Sequence, residues 1–217
     1  MLAEYFLIIT LVVTAILSAI TLNRYKNDLQ IKVVTAVILA VLHTIAGVIC
    51  VKAFACLESL TNPFDAGMSL FGALFLLPLF YLAGSRLTNR DKALVFDDFC
   101  ICVMIALMCV RCNCIVSGCC LGKVISGTGM FWPTRQIEIA FWAIMLIWFL
   151  FKKEHGYIKG ILYPQMMMVY GIFRFIVEFF RDEAAVIGPF HFGHLWAVIS
   201  FFVGSTFYFI LMERKRP

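Results

Sequence analysis

Residues 170–181 read YGIFRFIVEFFR, and Tyr170, Arg174 and Glu178 are four apart within them. A helix therefore places all three on one face. A guanidinium fork grips two oxygens of a phosphate at once, a phenol donates one hydrogen bond, and a carboxylate balances charge. Arg111 interrupts a separate apolar run, Lys52 lies near the end of another, Arg135 and Glu138 open a third, and His191 and His194 open a fourth. Histidine, glutamate and tyrosine are the usual proton-transfer groups. Together these residue types can hold an anionic headgroup and stabilise the charge of a departing phosphate.

The elements that position them follow from composition. Of 217 residues, 63% are hydrophobic and 14% charged, against roughly a quarter charged in soluble domains. A soluble fold of this size cannot bury so much apolar surface, whereas a bilayer replaces water around the outer helix faces. A span needs about 20 apolar residues. The runs 4–22, 32–56, 67–84, 98–116, 134–151, 160–180 and 190–212 fit that length. They predict an all-α polytopic membrane bundle of about seven transmembrane helices, forming a single transmembrane domain over 1–217. The first run lacks a basic start and a small-residue cleavage site, so it reads as a retained helix rather than a signal peptide. In the fourth, Asp98 is the expected N-cap and Ser117-Gly118 the stop.

Basic residues fix the expected orientation. Arg24, Lys26 and Lys32, then Arg86, Arg90 and Lys92, then Lys152, Lys153 and Lys159, and finally Arg214, Lys215 and Arg216 fall in alternate loops and the tail. The positive-inside rule makes these segments cytoplasmic, with the N-terminus outside and the C-terminus inside. The formal charge of +5 is thus a topology signal and not a nucleic-acid footprint. At 1.5 Å per residue, Arg174 lies roughly 21 Å up a core of about 30 Å. Arg111 lies at similar depth on its own outward-running helix. Ionisable groups there usually mark function. Arg135 and His191, near helix ends, read more simply as snorkelling or structural pairing.

At this point the chain resembles the bacterial prolipoprotein diacylglyceryl transferases. MMVYGIFRFIVEFFRDE at 167–183 is similar to the family's corresponding stretch, and RCNCIVSGCCLGK at 111–123 to its signature loop. Tyr170, Arg174 and Arg111 match the family's tyrosine and two arginines, and Gly118 and Gly122 match the loop glycines. GMSLFGA at 67–73, WPTRQIE at 132–138 and FGH at 192–194 resemble further family segments, in order and spacing. The departures are specific. Phe71 stands where the family carries a histidine, Trp132 replaces another, and Cys114, Ser117 and Cys119 replace the polar residues of the signature loop. The chain also lacks room for the family's larger outer head domain.

The resemblance implies transfer of the diacylglyceryl group of phosphatidylglycerol to the cysteine thiol of a prolipoprotein signal peptide, at the outer leaflet of a bacterial cytoplasmic membrane. It implies catalytic roles for Arg111, Arg174, Tyr170, Glu178 and His194, and substrate-binding roles for Gly118, Gly122, Gln136, Glu138 and Gly171. No cofactor or metal is expected. Without the family's histidine, His194, Glu178 or Tyr170 would have to help generate the acceptor thiolate, which is the nucleophile.

Nine cysteines are present, and Cys112, Cys114, Cys119 and Cys120 cluster with spacing C-x-C-x4-C-C. Packing as small hydrophobes, one or two disulfides to Cys112 or Cys114, and a metal site all stand as readings. The usual paired C-x2-C metal spacing is missing. Two other functions stay open: a non-catalytic relative that binds phospholipid or a signal peptide, and a membrane thiol-redox protein.

Overall fold

The structure is a computed structural model and describes residues 2–59, 67–182 and 187–214. Among these the helices are α1 (Leu2–Arg24), α2 (Lys26–Leu29), α3 (Val33–Ser59), α4 (Leu70–Leu87), α5 (Lys92–Ser117), α6 (Thr134–His155), α7 (Leu162–Glu178) and α8 (Phe192–Arg214). All seven predicted runs are helices. Six of them, α1, α3, α4, α5, α6 and α8, are long and apolar enough to cross a membrane. The seventh, α7, has 17 residues and carries Arg174 and Glu178. It sits between α5 and α8, where protein rather than lipid surrounds its polar side. Lys215 and Arg216, part of the topology argument, lie outside the described residues.

The fourth run, the least apolar-looking, is the central helix. Helix α5 packs against α1, α4, α6 and α7, and every residue from Asp97 to Ile105 is buried. A helix walled by other helices can carry polar groups if each finds a partner. One expectation needs correction here. Helix α5 starts at Lys92, capped by Asp91, whose carboxylate accepts from Ala93 N at 2.9 Å. Asp98 is inside the helix and pairs with Lys153 of α6. Its neighbour Asp97 accepts from Gly160 N at 2.5 Å and Leu162 N at 3.0 Å, and so satisfies the free N–H groups at the start of α7. The apolar run alone concealed this turn, because partners from α6 and α7 neutralise both carboxylates. The expected stop is found: α5 ends at Ser117, and Gly118 follows with φ +69, a conformation that favours glycine at a helix C-terminus.

Helices α7 and α8 approach closely. A Cβ on Gly171 would lie 2.7 Å from Ala197 O, and one on Gly204 would lie 2.7 Å from Met168 N. Small residues let two backbones pack this tightly where lipid gives no hydrophobic drive. Between α5 and α6 the chain folds back on itself. Ile125 N donates to Met130 O at 2.7 Å, Trp132 N to Lys123 O at 3.0 Å, Lys123 N to Phe180 O at 2.8 Å, and Asp182 N to Leu121 O at 3.2 Å. This hairpin-like loop thereby ties the end of α5 to the end of α7.

Candidate functional site

Four helices meet at that tied end. The C-terminal parts of α5 and α7 bring Arg111, Arg174 and Glu178, and the N-terminal parts of α6 and α8 bring Glu138 and His194. Glu138 is the hub. One of its oxygens accepts from Arg111 Nε, and the other lies 2.5 Å from Arg174 Nη1 and 3.5 Å from Arg181 Nη1. Glu178 takes the other side of Arg174, with Oε2 2.6 Å from Nη2. His191 Nδ1 lies 3.7 Å from Glu178 Oε1. Both glutamates are 1% exposed, and the three arginines between 3% and 6%. Arg111 and Arg174 therefore converge, as their expected depths implied.

The charge balance differs from expectation in one respect. The second anion between the two arginines is Glu138 rather than a ligand that must be supplied from outside. Among the described residues the network thus sets three arginines on two glutamates. Burial and the neighbouring Arg111 oppose the charge on Arg181, and Glu138 and Glu178 outweigh them, so its pKa moves up.

Tyr170 lies one turn below Arg174 and is fully buried. Its hydroxyl has no hydrogen-bond partner among the described residues. Its ring rests on Trp142, with centroids 4.6 Å apart, and Phe71 stands 6.0 Å away. Phe71, where the resemblance implies a histidine, thus faces the tyrosine with an apolar ring. His194 is 2% exposed and ringed by Phe175, Phe179 and Phe190. Its Nδ1 accepts from His191 N at 3.0 Å, which places its proton on Nε2. The lone pair on Nδ1 is thus already engaged at the start of α8, and Glu178 is engaged by Arg174. Neither is idle as a base.

The remaining sequence-derived residues separate. Gly118 ends α5. Gly122 pairs with Arg181 across the loop, and a Cβ there would fall on the Trp132 backbone and 3.0 Å from Phe180 O. Gly171 serves the α7–α8 approach and lines an apolar groove of about 270 Å³ with Ile172, Phe175, Val198 and Phe202. Gln136 is exposed on α6, away from the buried face that carries Glu138. Lys52 is half-buried on α3. Arg135 does not snorkel: its Nη1 donates to Cys114 O at 3.0 Å and to Cys119 O at 3.2 Å. Trp132 packs against Phe180 with the rings tilted at 53° and their centroids 4.7 Å apart.

Two participants were missed as site residues. Arg181 completes an i, i+4, i+7 series with Arg174 and Glu178, and that spacing was the available signal. For Gly193 the signal was the FGH match at 192–194, which gave no role: a Cβ on it would collide with the Glu178 carboxylate, a contact made only when α8 docks on α7.

All nine cysteines are free thiols. Cys112 is exposed, while Cys114, Cys119 and Cys120 come together behind Arg135. The Cys114 hydrogen bond, set against burial and aided by the positive charges of Arg111 and Arg181, pulls the Cys120 thiol below its ordinary range.

The family model for prolipoprotein diacylglyceryl transferase matches residues 4–210 of the chain. A comparison with curated proteins returns no match.

Proposed function

From the premise that this chain belongs to the prolipoprotein diacylglyceryl transferase family, we propose that it moves the diacylglyceryl group of phosphatidylglycerol onto a signal-peptide cysteine, at the outer face of a bacterial cytoplasmic membrane. The observation that carries this reading is the buried Arg111–Glu138–Arg174–Glu178–Arg181 network, which brings three guanidinium groups to one place. The donor phosphate enters as a monoanionic diester and takes guanidinium contacts. The acceptor sulfur attacks the glyceryl carbon next to the phosphate oxygen. The C–S bond forms as the C–O bond breaks, and glycerol phosphate leaves with the electron pair. Charge grows on the phosphate at that moment, and fixed guanidinium donors in a water-poor site favour it most there. Tyr170, one turn below Arg174, offers its unpartnered hydroxyl to the same space. The apolar groove between α7 and α8, which ends at Gly171, suits the acyl chains.

A second reading, a relative that holds phospholipid without transferring it, is favoured by the Phe71 ring where a histidine is expected. One assay separates the two. Purified chain is incubated with labelled phosphatidylglycerol and a lipobox peptide, with a serine peptide as control. The transferase reading expects a thioether-linked peptide and free glycerol phosphate from the cysteine peptide alone. Lipid binding without any thioether product would establish the second reading instead.

A further inference from the structure

Beside the arginine network, three thiols converge where α5 gives way to the loop. Cys114 belongs to the last turn of α5, Cys119 and Cys120 follow Gly118, and one sulfur from each lies within 4.8 Å of the other two. Several independent constraints hold them there. Gly118 reverses the chain, and Cys120 itself has φ 57, a region that L residues seldom adopt. Arg135 binds the carbonyls of both Cys114 and Cys119. Leu121, the next residue, accepts from Asp182 N.

We propose that Cys114, Cys119 and Cys120 bind one zinc-class divalent ion as three thiolates, and that its fourth position receives the acceptor thiol. Three sulfurs at about 2.3 Å from a tetrahedral ion sit roughly 3.8 Å apart, so sulfurs that lie within 4.8 Å of one another need to close by at most about 1 Å. The spacing C-x4-C-C differs from the usual paired motif because one ligand comes from a helix end and two from a reversed turn. Three protein ligands with an open fourth position is the pattern of catalytic rather than structural zinc. Three thiolates on a divalent ion carry one net negative charge, which complements the guanidinium groups of Arg111 and Arg181 next door. Arg111 lies one turn before Cys114 on α5, and Arg181 adjoins the strand-like pairing of the loop.

The second half of the proposal rests on the transferase reading. S-alkylation needs a thiolate, and a coordinated thiol is deprotonated outright. Two of the three groups expected to help form the thiolate are already in use, since His194 Nδ1 is engaged and Glu178 is held by Arg174. On coordination the acceptor thiol gives its proton to solvent. The later step forms S–C and breaks C–O, with no change of oxidation state.

The test uses the full chain in detergent, reduced, titrated with Co(II) and then Zn(II). Expected is a thiolate-to-cobalt charge-transfer band that saturates at about one equivalent and is displaced by Zn(II). Cys112→Ser should keep it. Cys119→Ser, at an exposed position that disturbs little packing, should weaken it, and the Cys114→Ser/Cys119→Ser/Cys120→Ser variant should lose it. Addition of the lipobox cysteine peptide should strengthen the band, and the serine peptide should not. Absence of the band, or its persistence in both cluster variants, overturns the site. A band indifferent to the cysteine peptide overturns the acceptor role. No readout here requires turnover, so a normal cobalt response without lipid transfer would count against the transferase reading alone.

Discussion

Glu138 of α6 holds Arg174 of α7 at 2.5 Å in a part of the bundle where both side chains are almost wholly buried. The same carboxylate also receives Arg111 of α5, so one residue sets the spacing between two guanidinium groups from different helices. The behaviour of the site under substitution follows from this arrangement.

Arg174→Lys keeps the charge and removes the fork that spans Glu138 and Glu178. A lysine can meet one of these carboxylates as a point charge but not both in a fixed plane. Turnover of phosphatidylglycerol should fall by roughly 10²–10³-fold, the scale of losing one transition-state donor. A steady-state assay with a lipobox peptide reads this directly. A variant with unchanged turnover would remove Arg174 from the chemistry.

Glu138→Gln leaves three arginines facing a single glutamate. Breaking a buried pair typically costs roughly 3–5 kcal/mol, so the variant should unfold in detergent well below the parent chain. Phosphatidylglycerol should restore more stability to the variant than to the parent, because a bound phosphate supplies the missing anion. Equal thermal shifts on adding lipid would show that phosphate does not reach these arginines.

Gly193→Ala places a methyl on the Glu178 carboxylate. Glu178 must then turn away from Arg174, and misplacement of a positioned group by about 1 Å can reduce rate on the order of 10²-fold. Gly84→Ala, with nothing within 4 Å of the added carbon, serves as the control and should match the parent or gain a little stability. If Gly193→Ala matched this control in activity, Glu178 would have no positioning role.

The alternation of basic loops predicts a cytoplasmic tail and an external N-terminus. A C-terminal alkaline phosphatase fusion should therefore be inactive and a fluorescent protein fusion bright. The opposite pair of results would invert the bundle and move the arginine network to the cytoplasmic leaflet.

Much of this was readable from the residues. The seven helical runs follow from apolar length, and the convergence of Arg111 and Arg174 follows from their depth on two helices running the same way. What periodicity could not reveal was pairing between helices. In the sequence Glu138 opens a helix and carries a substrate-binding role by resemblance alone, and only the packing of α6 beside α5 and α7 makes it the hub of two arginines; Asp98 has the position of a cap, and only α6 supplies the Lys153 that neutralises it. The three thiols show the same gap. Their sequence spacing matches no familiar ligand pattern, and only the reversal at Gly118 and the Arg135 clamp bring the sulfurs together.

The resident carboxylate at the hub means that an arriving phosphate meets guanidinium groups already in use. Capture of the headgroup is then an exchange of partners rather than the filling of a vacant seat. On the proposed transferase reading the same exchange would run backwards at the end of a cycle: as the phosphate product departs, Glu138 and Glu178 are at hand to reclaim the arginines. A network that supplies its own stand-in anion can hold a strongly charged product tightly during bond breaking and still let it go.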